Sequence, residues 1–198
     1  MPSVQVNISM SVDGFITGPN LEEHPGLGEG GEILHAWLGE SEGQKVLGEA
    51  FGSAGSVVTS RTIFDGTRGW GDEPPFRMPV FVLTHRPREV LVKGETTFTF
   101  VAEGIEQAIA QAITAAEGKK VHVMGGATVI QQALNAGLVD ELQLHIAPVL
   151  LGRGTRLFEH LGGPIQLERT EVVQSQFATH LRFRIVTQSV GPNLDTAR

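Results

Sequence analysis

Residues 121–137 read VHVMGGATVIQQALNAG, and this stretch decides the fold class. An apolar run ends at Gly125-Gly126, and apolar residues at helical spacing follow up to Gly137, a residue type that commonly ends helices. A strand that turns directly into a helix is typical of α/β proteins with parallel sheets. The glycine pair has two interpretations: a steric need of the turn, or a close approach of an anion to the first helical amides.

The same alternation of strand and helix patterns extends over most of the chain. We predict strands at 4–10, 56–59, 79–84, 97–101, 121–124 and 142–146, and helices at 32–51, 104–117 and 127–136. The first helix is expected to break at Gly39-Glu40-Ser41, with Ser41 capping the second segment. Residues 165–173 and 177–186 predict a closing antiparallel hairpin. The sequence therefore predicts one α/β domain over residues 1–188, with helices on both faces of a largely parallel sheet, and a flexible tail at 189–198.

Length and composition exclude several classes of protein. A chain of 198 residues fits one domain at ~150 residues per domain. Its formal net charge of −7 does not favour nucleic acid or anionic membranes as partners. It has no cysteine, no basic apolar leader and no run of apolar residues long enough to span a membrane. We expect a soluble cytoplasmic protein.

Polar and cationic residues follow three of the predicted parallel strands. Ser60-Arg61-Thr62, His85-Arg86-Pro87-Arg88 and Gly125-Gly126-Ala127-Thr128 each stand where a strand ends. Ligands of open α/β sheets bind at the carboxyl ends of the strands, and these residues suit anions. Each junction alone has an ordinary alternative, such as Thr62 capping a helix or a solvated turn before Pro87. Together they predict a dinucleotide with an extra phosphate, NADP(H) rather than NAD(H), although the G-x-G-x-x-G fingerprint is missing.

Other candidate residues have both a functional and an ordinary interpretation. His35 could donate a proton or be a half-buried helix residue, and Asp13 before Gly14 could act in a site or only form a turn. Trp37 could stack on a substrate or belong to the core. His122 and His145 have no partner at metal-ligand spacing, so we expect no metal site. The motifs of common hydrolases and kinases do not occur.

Several segments together resemble the dihydrofolate reductase-like superfamily, in the branch of the C-terminal reductase domain of bacterial riboflavin biosynthesis. They are Ser11 to Ile16, Ser60 to Thr62, Val123 to Ala127, and a long motif from Gly137 to Phe158. The resemblance covers most of residues 3–187. It implies a three-layer α/β fold with a mixed, mostly parallel sheet of eight strands and a C-terminal antiparallel hairpin. It also implies NADPH as cofactor and a homodimer.

The resemblance assigns roles to residues of this chain. Ser60, Arg61 and Thr62 would bind cofactor phosphates, and Thr84, His85 and Arg86 would hold the 2′-phosphate end. The pyrophosphate would lie against Gly125, Gly126, Ala127, Thr128 and Val129, and the nicotinamide against Met10, Ser11 and Ile16. The resemblance also puts Asp13 at the mouth of the site. Together with the residues weighed above, this makes Asp13 and His35 the candidate catalytic residues, and Asp13, Trp37 and Met124 the candidate substrate contacts.

Two positions depart from the named families. Leu34 stands where dihydrofolate reductases carry an acid, and Met124 where the riboflavin-pathway reductases usually have Glu. We expect an NADPH-dependent reductase of a small heterocycle, with reduction of 5-amino-6-(5-phosphoribosylamino)uracil as the pathway hypothesis. Dihydrofolate or pterin reduction, and a non-catalytic dimeric module that binds NADPH, remain the alternatives.

Overall fold

The computed structural model describes residues 2–186, so the predicted tail at 189–198 lies outside the described residues. Eleven strands occur in this range. They are β1 (Val4–Ser11), β2 (Phe15–Thr17), β3 (Ala54–Ser60), β4 (Val80–Leu83), β5 (Leu91–Lys93), β6 (Thr96–Val101), β7 (Lys120–Val123), β8 (Glu141–Ala147), β9 (Thr155–Arg156), β10 (Gln166–Gln174) and β11 (Thr179–Val186).

Four α-helices and two 3₁₀ helices connect these strands. The α-helices are α1 (Ser41–Ser53), α2 (Arg61–Gly66), α3 (Ile105–Ala115) and α4 (Ala127–Asn135), and the 3₁₀ helices span Gly31–Gly39 and Arg68–Trp70. No helix of the described chain is both long and apolar enough to cross a membrane.

The main sheet has nine strands in the order β10-β11-β8-β1-β7-β3-β4-β6-β5. The six central strands, from β8 to β6, are parallel, whereas β5, β10 and β11 are antiparallel to their neighbours. This confirms the predicted mixed, mostly parallel sheet with a C-terminal hairpin. The sheet has nine strands, where the resemblance implied eight. The strand that the sequence patterns did not predict is β5, which has three residues, too few to show an alternating pattern.

The two faces of the sheet differ in chemistry. On one face, α3 and α4 pack on an apolar layer that includes Val6, Val58 and Val123. On the other face, an apolar cluster lies over β3, β4 and β6. It contains Val57 of β3, Phe64 of α2 and neighbouring phenylalanines. Successive strand residues point to opposite faces, so helices lie on both faces as predicted.

Beside these phenylalanines, the second face becomes polar. Across β7, β1, β8 and β11 it carries buried polar side chains at alternating strand positions: Gln5, Ser9, His122, Gln143, His145 and His180. We call this set the polar layer. The 3₁₀ helix Gly31–Gly39 and α1 lie over it and contribute the apolar side chains of Trp37 and Val46.

Helix ends and turns differ most from the predictions. The break near residue 40 is confirmed, but the first segment is a 3₁₀ helix, and Glu40 rather than Ser41 occupies the cap position of α1. The Glu40 carboxylate makes no cap; it accepts hydrogen bonds from the backbone N–H groups of Gln176 and Phe177, at 2.8 and 2.9 Å. The cap alternative for Thr62 is also wrong, because the Ser60 hydroxyl caps α2.

Candidate functional site

A cleft of about 590 Å³ opens at the carboxyl ends of β3, β4 and β7. It brings together all three junctions singled out in the sequence. Eleven of the fourteen residues assigned to the cofactor line it: Ile16, Ser60, Arg61, Thr62, Thr84, His85, Arg86, Gly126, Ala127, Thr128 and Val129. The remaining three, Met10, Ser11 and Gly125, are buried beside the cleft and do not line it.

The floor of the cleft is the turn from β7 into α4. Gly125 and Gly126 have φ values of +82° and +83°, joined by a trans peptide, and no side chain caps the start of α4. The first N–H groups of a helix lack partners within it and suit an anion. A Cβ at Gly126 would lie 2.5 Å from the Ser60 hydroxyl oxygen. This turn therefore requires glycine for a steric reason, which confirms the first interpretation of the glycine pair, whereas the approach of an anion to the open backbone stays a prediction.

One wall of the cleft is cationic. Arg61 starts α2, and its Nη1 donates to the carbonyl oxygen of Arg86 at 3.4 Å, which joins the ends of β3 and β4. The Thr84 hydroxyl accepts from the N–H of Arg86 at 3.0 Å and fixes the turn after β4. The side chains of His85 and Arg86 are exposed on this turn. The donor set fits a phosphorylated nucleotide.

The glycine-rich loop at residues 18–31 forms the rim of the cleft. This role was not predicted, because the sequence of the loop has no periodic pattern. Leu21, Pro25 and Gly26 of this loop line the cleft. A Cβ at Gly66, the last residue of α2, would lie 3.2 Å from the backbone nitrogen of Gly26. The rim and α2 therefore approach each other backbone to backbone.

Thr17 and Thr155, which were also not predicted, line the cleft as well. Their hydroxyl groups hydrogen bond at 2.9 Å across the pairing of β2 with β9. These two residues come together only because β2 pairs with β9. Both strands are very short, so no local sequence pattern predicts this pairing.

Asp13 lies beside the cleft and does not line it. Its carboxylate accepts hydrogen bonds from the Ser11 hydroxyl at 2.6 Å and from the backbone N–H groups of Leu151 and Gly152 at 3.1 and 2.7 Å. The Ser11 hydroxyl, followed by these two N–H groups, lowers the pKa of Asp13 to about 2 against a smaller opposing effect of desolvation. Asp13 is thus an ionised anchor for the loop after β8, and its assigned catalytic and substrate roles stay predictions.

Trp37 is buried, with 3 % of its surface exposed, and its indole N–H donates to the Ser9 hydroxyl at 3.0 Å. The ring stacks on His145 with centroids 4.3 Å apart. The core alternative for Trp37 therefore describes its position in the structure, and its ring does not line the cleft.

His35 and Met124 also lie off the cleft. His35 reaches solvent from the 3₁₀ helix, although desolvation by the surrounding protein lowers its pKa. Met124 is half-buried and packs against the apolar cluster around Val57. The proposed proton donor His35 and all three proposed substrate contacts are therefore separate from the residues that line the cleft.

A scan against protein-family models matches residues 2–181 to the RibD C-terminal domain. The chain belongs to the RibD C-terminal domain family. This confirms the resemblance that the sequence motifs indicated, over nearly the whole of the described chain. The uncharacterized protein YyaP of Bacillus subtilis (strain 168) is 26% identical to this RibD C-terminal domain over 164 residues, which cover 77% of this chain and 78% of YyaP.

Solved structures show the same fold. A Shewanella sp. PV-4 protein named for riboflavin biosynthesis superposes with a TM-score of 0.74 and 22% identity, covering 93% of this RibD C-terminal domain and 99% of that chain. A diaminohydroxyphosphoribosylaminopyrimidine deaminase/5-amino-6-(5-phosphoribosylamino)uracil reductase of Thermotoga maritima superposes with a TM-score of 0.63 and 13% identity. It is the longer chain: the match covers 93% of this domain and 57% of the Thermotoga protein.

Proposed function

We propose that this RibD C-terminal domain is an NADPH-dependent reductase of a small polar heterocycle. The observation that carries the proposal is the convergence of Arg61, Arg86 and the uncapped start of α4 on one cleft of about 590 Å³. A cleft of this size suits a cofactor. The family, and the reductase named among its structural relatives, support the same class of reaction.

Each wall of the cleft would hold a different part of the cofactor. Arg61, His85 and Arg86 would bind phosphate, and the N–H groups of Ala127 and Thr128 would face the pyrophosphate beside Gly126. Ile16 and Thr17 also line the cleft, and the nicotinamide would lie against Ile16. When bound, NADPH supplies a hydride, and the protein supplies position and charge.

The substrate hypothesis that the family favours is 5-amino-6-(5-phosphoribosylamino)uracil, the compound in the name of the Thermotoga protein. Dihydrofolate or another pterin is the second candidate. Dihydrofolate reductases carry an acid at the position of Leu34, and riboflavin-pathway reductases usually carry Glu at the position of Met124. Both residues are apolar in this chain, so neither acid is present. A substrate panel therefore has to decide between the two.

Nucleotide titration tests the cofactor. Isothermal titration calorimetry with NADPH and NADH is expected to give clearly tighter binding of NADPH, since Arg61, His85 and Arg86 favour an additional phosphate. Equal affinity for both nucleotides would overturn the 2′-phosphate assignment, and binding of neither would overturn the proposed function.

Oxidation of NADPH, followed at the nicotinamide absorbance band, tests the reaction. The panel contains 5-amino-6-(5-phosphoribosylamino)uracil, dihydrofolate and further pyrimidines and pterins. We expect turnover with at least one member. Tight binding of NADPH without oxidation by any member would instead support the non-catalytic module.

We also propose that the protein forms a homodimer and that it acts in the cytoplasm. The dimer is supported by the edge strand β10, whose nine residues are nearly all exposed and include Leu167 and Val172, at 41% and 45% exposure. An exposed edge strand is a template for pairing with another chain. Light scattering at micromolar concentration is expected to give twice the mass of one chain, and a single-chain mass would contradict the dimer.

A further inference from the structure

Arg61 is held in a fixed position by a residue that the sequence analysis did not single out. Asp65 lies one helical turn further along α2, and both of its carboxylate oxygens accept from Nε of Arg61, at 2.8 and 2.9 Å. The Arg61 side chain is 25% exposed and that of Asp65 is 47% exposed. Both residues line the cleft.

Two further contacts hold the Arg61 guanidinium. Nη1 donates to the carbonyl oxygen of Arg86 at 3.4 Å, and the guanidinium carbon lies 5.7 Å from the centre of the buried Phe100 ring. Arg88 lies over the same ring at 5.0 Å. Within residues 2–186, Nη2 of Arg61 has no hydrogen-bond partner in the protein. The contacts with Asp65 and Arg86 thus orient the guanidinium and leave its outer N–H groups for a ligand.

We propose that Asp65 is a positioning residue that sets the affinity for the phosphorylated cofactor through Arg61. The inference rests on the proposed function. Asp65 carries the same charge as the cofactor and lines the same cleft, so as a charge alone it opposes binding of the cofactor. As an orienting partner it favours binding, because a guanidinium that is already fixed loses less freedom when it binds phosphate.

These two effects have opposite signs, which makes Asp65→Ala a sharp test. Removal of the negative charge alone would tighten NADPH binding. Loss of the orientation would weaken it, and we expect the dissociation constant to rise about five- to tenfold, as when one charge-assisted hydrogen bond loses its geometry. Asp65→Glu, which keeps the carboxylate, is expected to recover part of the affinity.

The matched control is Glu89→Gln. Glu89 is exposed on the loop that carries Arg86 and Arg88, and it forms no ion pair within the described residues. This variant removes one negative charge near the same cations without touching Arg61. It is expected to bind NADPH as tightly as the wild type or more tightly.

A double-mutant cycle separates positioning from a structural role. In an Arg61→Ala background, Asp65→Ala is expected to cause no loss of NADPH affinity, because a positioning residue without its partner no longer favours binding and only the removal of its negative charge remains. A structural contribution of Asp65 would persist in that background. Thermal unfolding of all variants checks that they remain folded.

The outcomes are distinguishable. If wild type binds NADPH and Asp65→Ala binds it equally well or more tightly, the role of Asp65 is wrong and the proposed function stands. The role of Asp65 is also wrong, with the proposed function intact, if the loss of affinity persists unchanged without Arg61. If wild type binds neither NADPH nor NADH, the proposed function fails and the role of Asp65 fails with it.

Discussion

Nδ1 of His145 and Nδ1 of His180 lie 2.6 Å apart in the interior of the protein, so the two rings share one proton. Nε2 of His145 is 2.9 Å from the side-chain oxygen of Asn7 and must donate to it. His145 therefore accepts at Nδ1, and His180 donates there. Nε2 of His180 then accepts from the Ser175 hydroxyl at 3.1 Å. Both histidines are neutral in this arrangement, because desolvation lowers the pKa of both rings.

Acid is expected to destabilise the protein through this pair. Desolvation, with smaller effects of His180, His35 and Arg182, lowers the pKa of His145 to about 3, and desolvation also lowers the pKa of His180 against the attraction of Glu40 and Glu42. A histidine that is neutral when folded takes up a proton on unfolding below its ordinary pKa of about 6.5. The stabilisation is therefore complete above about pH 6.5 and decreases as the pH falls, by up to ~1.4 kcal/mol per pH unit for His145.

Urea unfolding between pH 8 and pH 5 measures this decrease. His145→Gln removes one titrating group and is expected to reduce the slope by about one proton. His122, whose pKa desolvation lowers to about 4, keeps part of the slope in that variant. His24→Gln, which makes the same substitution at an exposed histidine, is the control. An identical slope in the His145 variant would show that this ring is not the titrating group.

Trp37→Phe tests whether this tryptophan is structural. The change keeps an aromatic ring but leaves the buried Ser9 hydroxyl without the indole N–H, which is expected to cost ~1–2 kcal/mol of unfolding free energy. Trp70→Phe is the matched control, because Trp70 packs on Phe76 and Phe98 and donates no hydrogen bond from its side chain within residues 2–186. Unchanged stability with a raised KM would instead support the predicted contact of Trp37 with substrate.

Gly126→Ala is expected to impair both folding and cofactor binding. The new Cβ would displace the Ser60 side chain, which caps α2 through the N–H of Ile63, and the strained φ adds to this, so we expect a loss of ~2–3 kcal/mol. Gly137→Ala has a similar φ of +66° but open space around the Cβ. It should lose only the ~1–2 kcal/mol of the left-handed conformation and bind NADPH normally. Equal effects of the two changes would show that the contact with Ser60 has no cost.

Asp13→Ala distinguishes an anchor from a proton donor. Without the carboxylate, the N–H groups of Leu151 and Gly152 lose their acceptor, so hydrogen exchange at these two amides is expected to accelerate. The carboxylate, with its pKa near 2, is fully ionised above about pH 4 and contributes stability that is lost only as the pH falls towards 2. Ionisation of Asp13 should therefore cause no decrease in activity as the pH is lowered from 8 to 5.

The control for this change is Asp72→Ala, an exposed carboxylate with no hydrogen bond to the rest of residues 2–186. Unchanged exchange at Leu151 and Gly152 together with an altered pH profile would restore Asp13 as an acid of the reaction.

The parts of the fold that could be predicted are those with a local signal. Strands such as Val4–Ser11 and helices such as Ile105–Ala115 have a periodic apolar pattern several residues long. The cleft could be predicted because parallel strands place their carboxyl ends at the same edge, which brings Arg61, Arg86 and Gly126 together.

The remaining parts depend on contacts between distant segments. Thr17 pairs with Thr155, and Glu40 binds the turn at Gln176, and neither partner is marked by its own neighbours in the sequence. The polar layer was missed for the same reason. His145 and His180 are 35 positions apart, and each alone resembles an ordinary strand residue.

The polar layer has a consequence for how this chain can change over evolution. An apolar layer tolerates exchanges of similar volume one at a time, because its contacts have no direction. In the polar layer, Ser9, His145 and His180 form hydrogen bonds with specific neighbours, so replacing His145 alone deprives His180 and Asn7 of their partner. Neutral drift should therefore be slow at these positions, and substitutions that persist should arrive as compensated pairs or triplets.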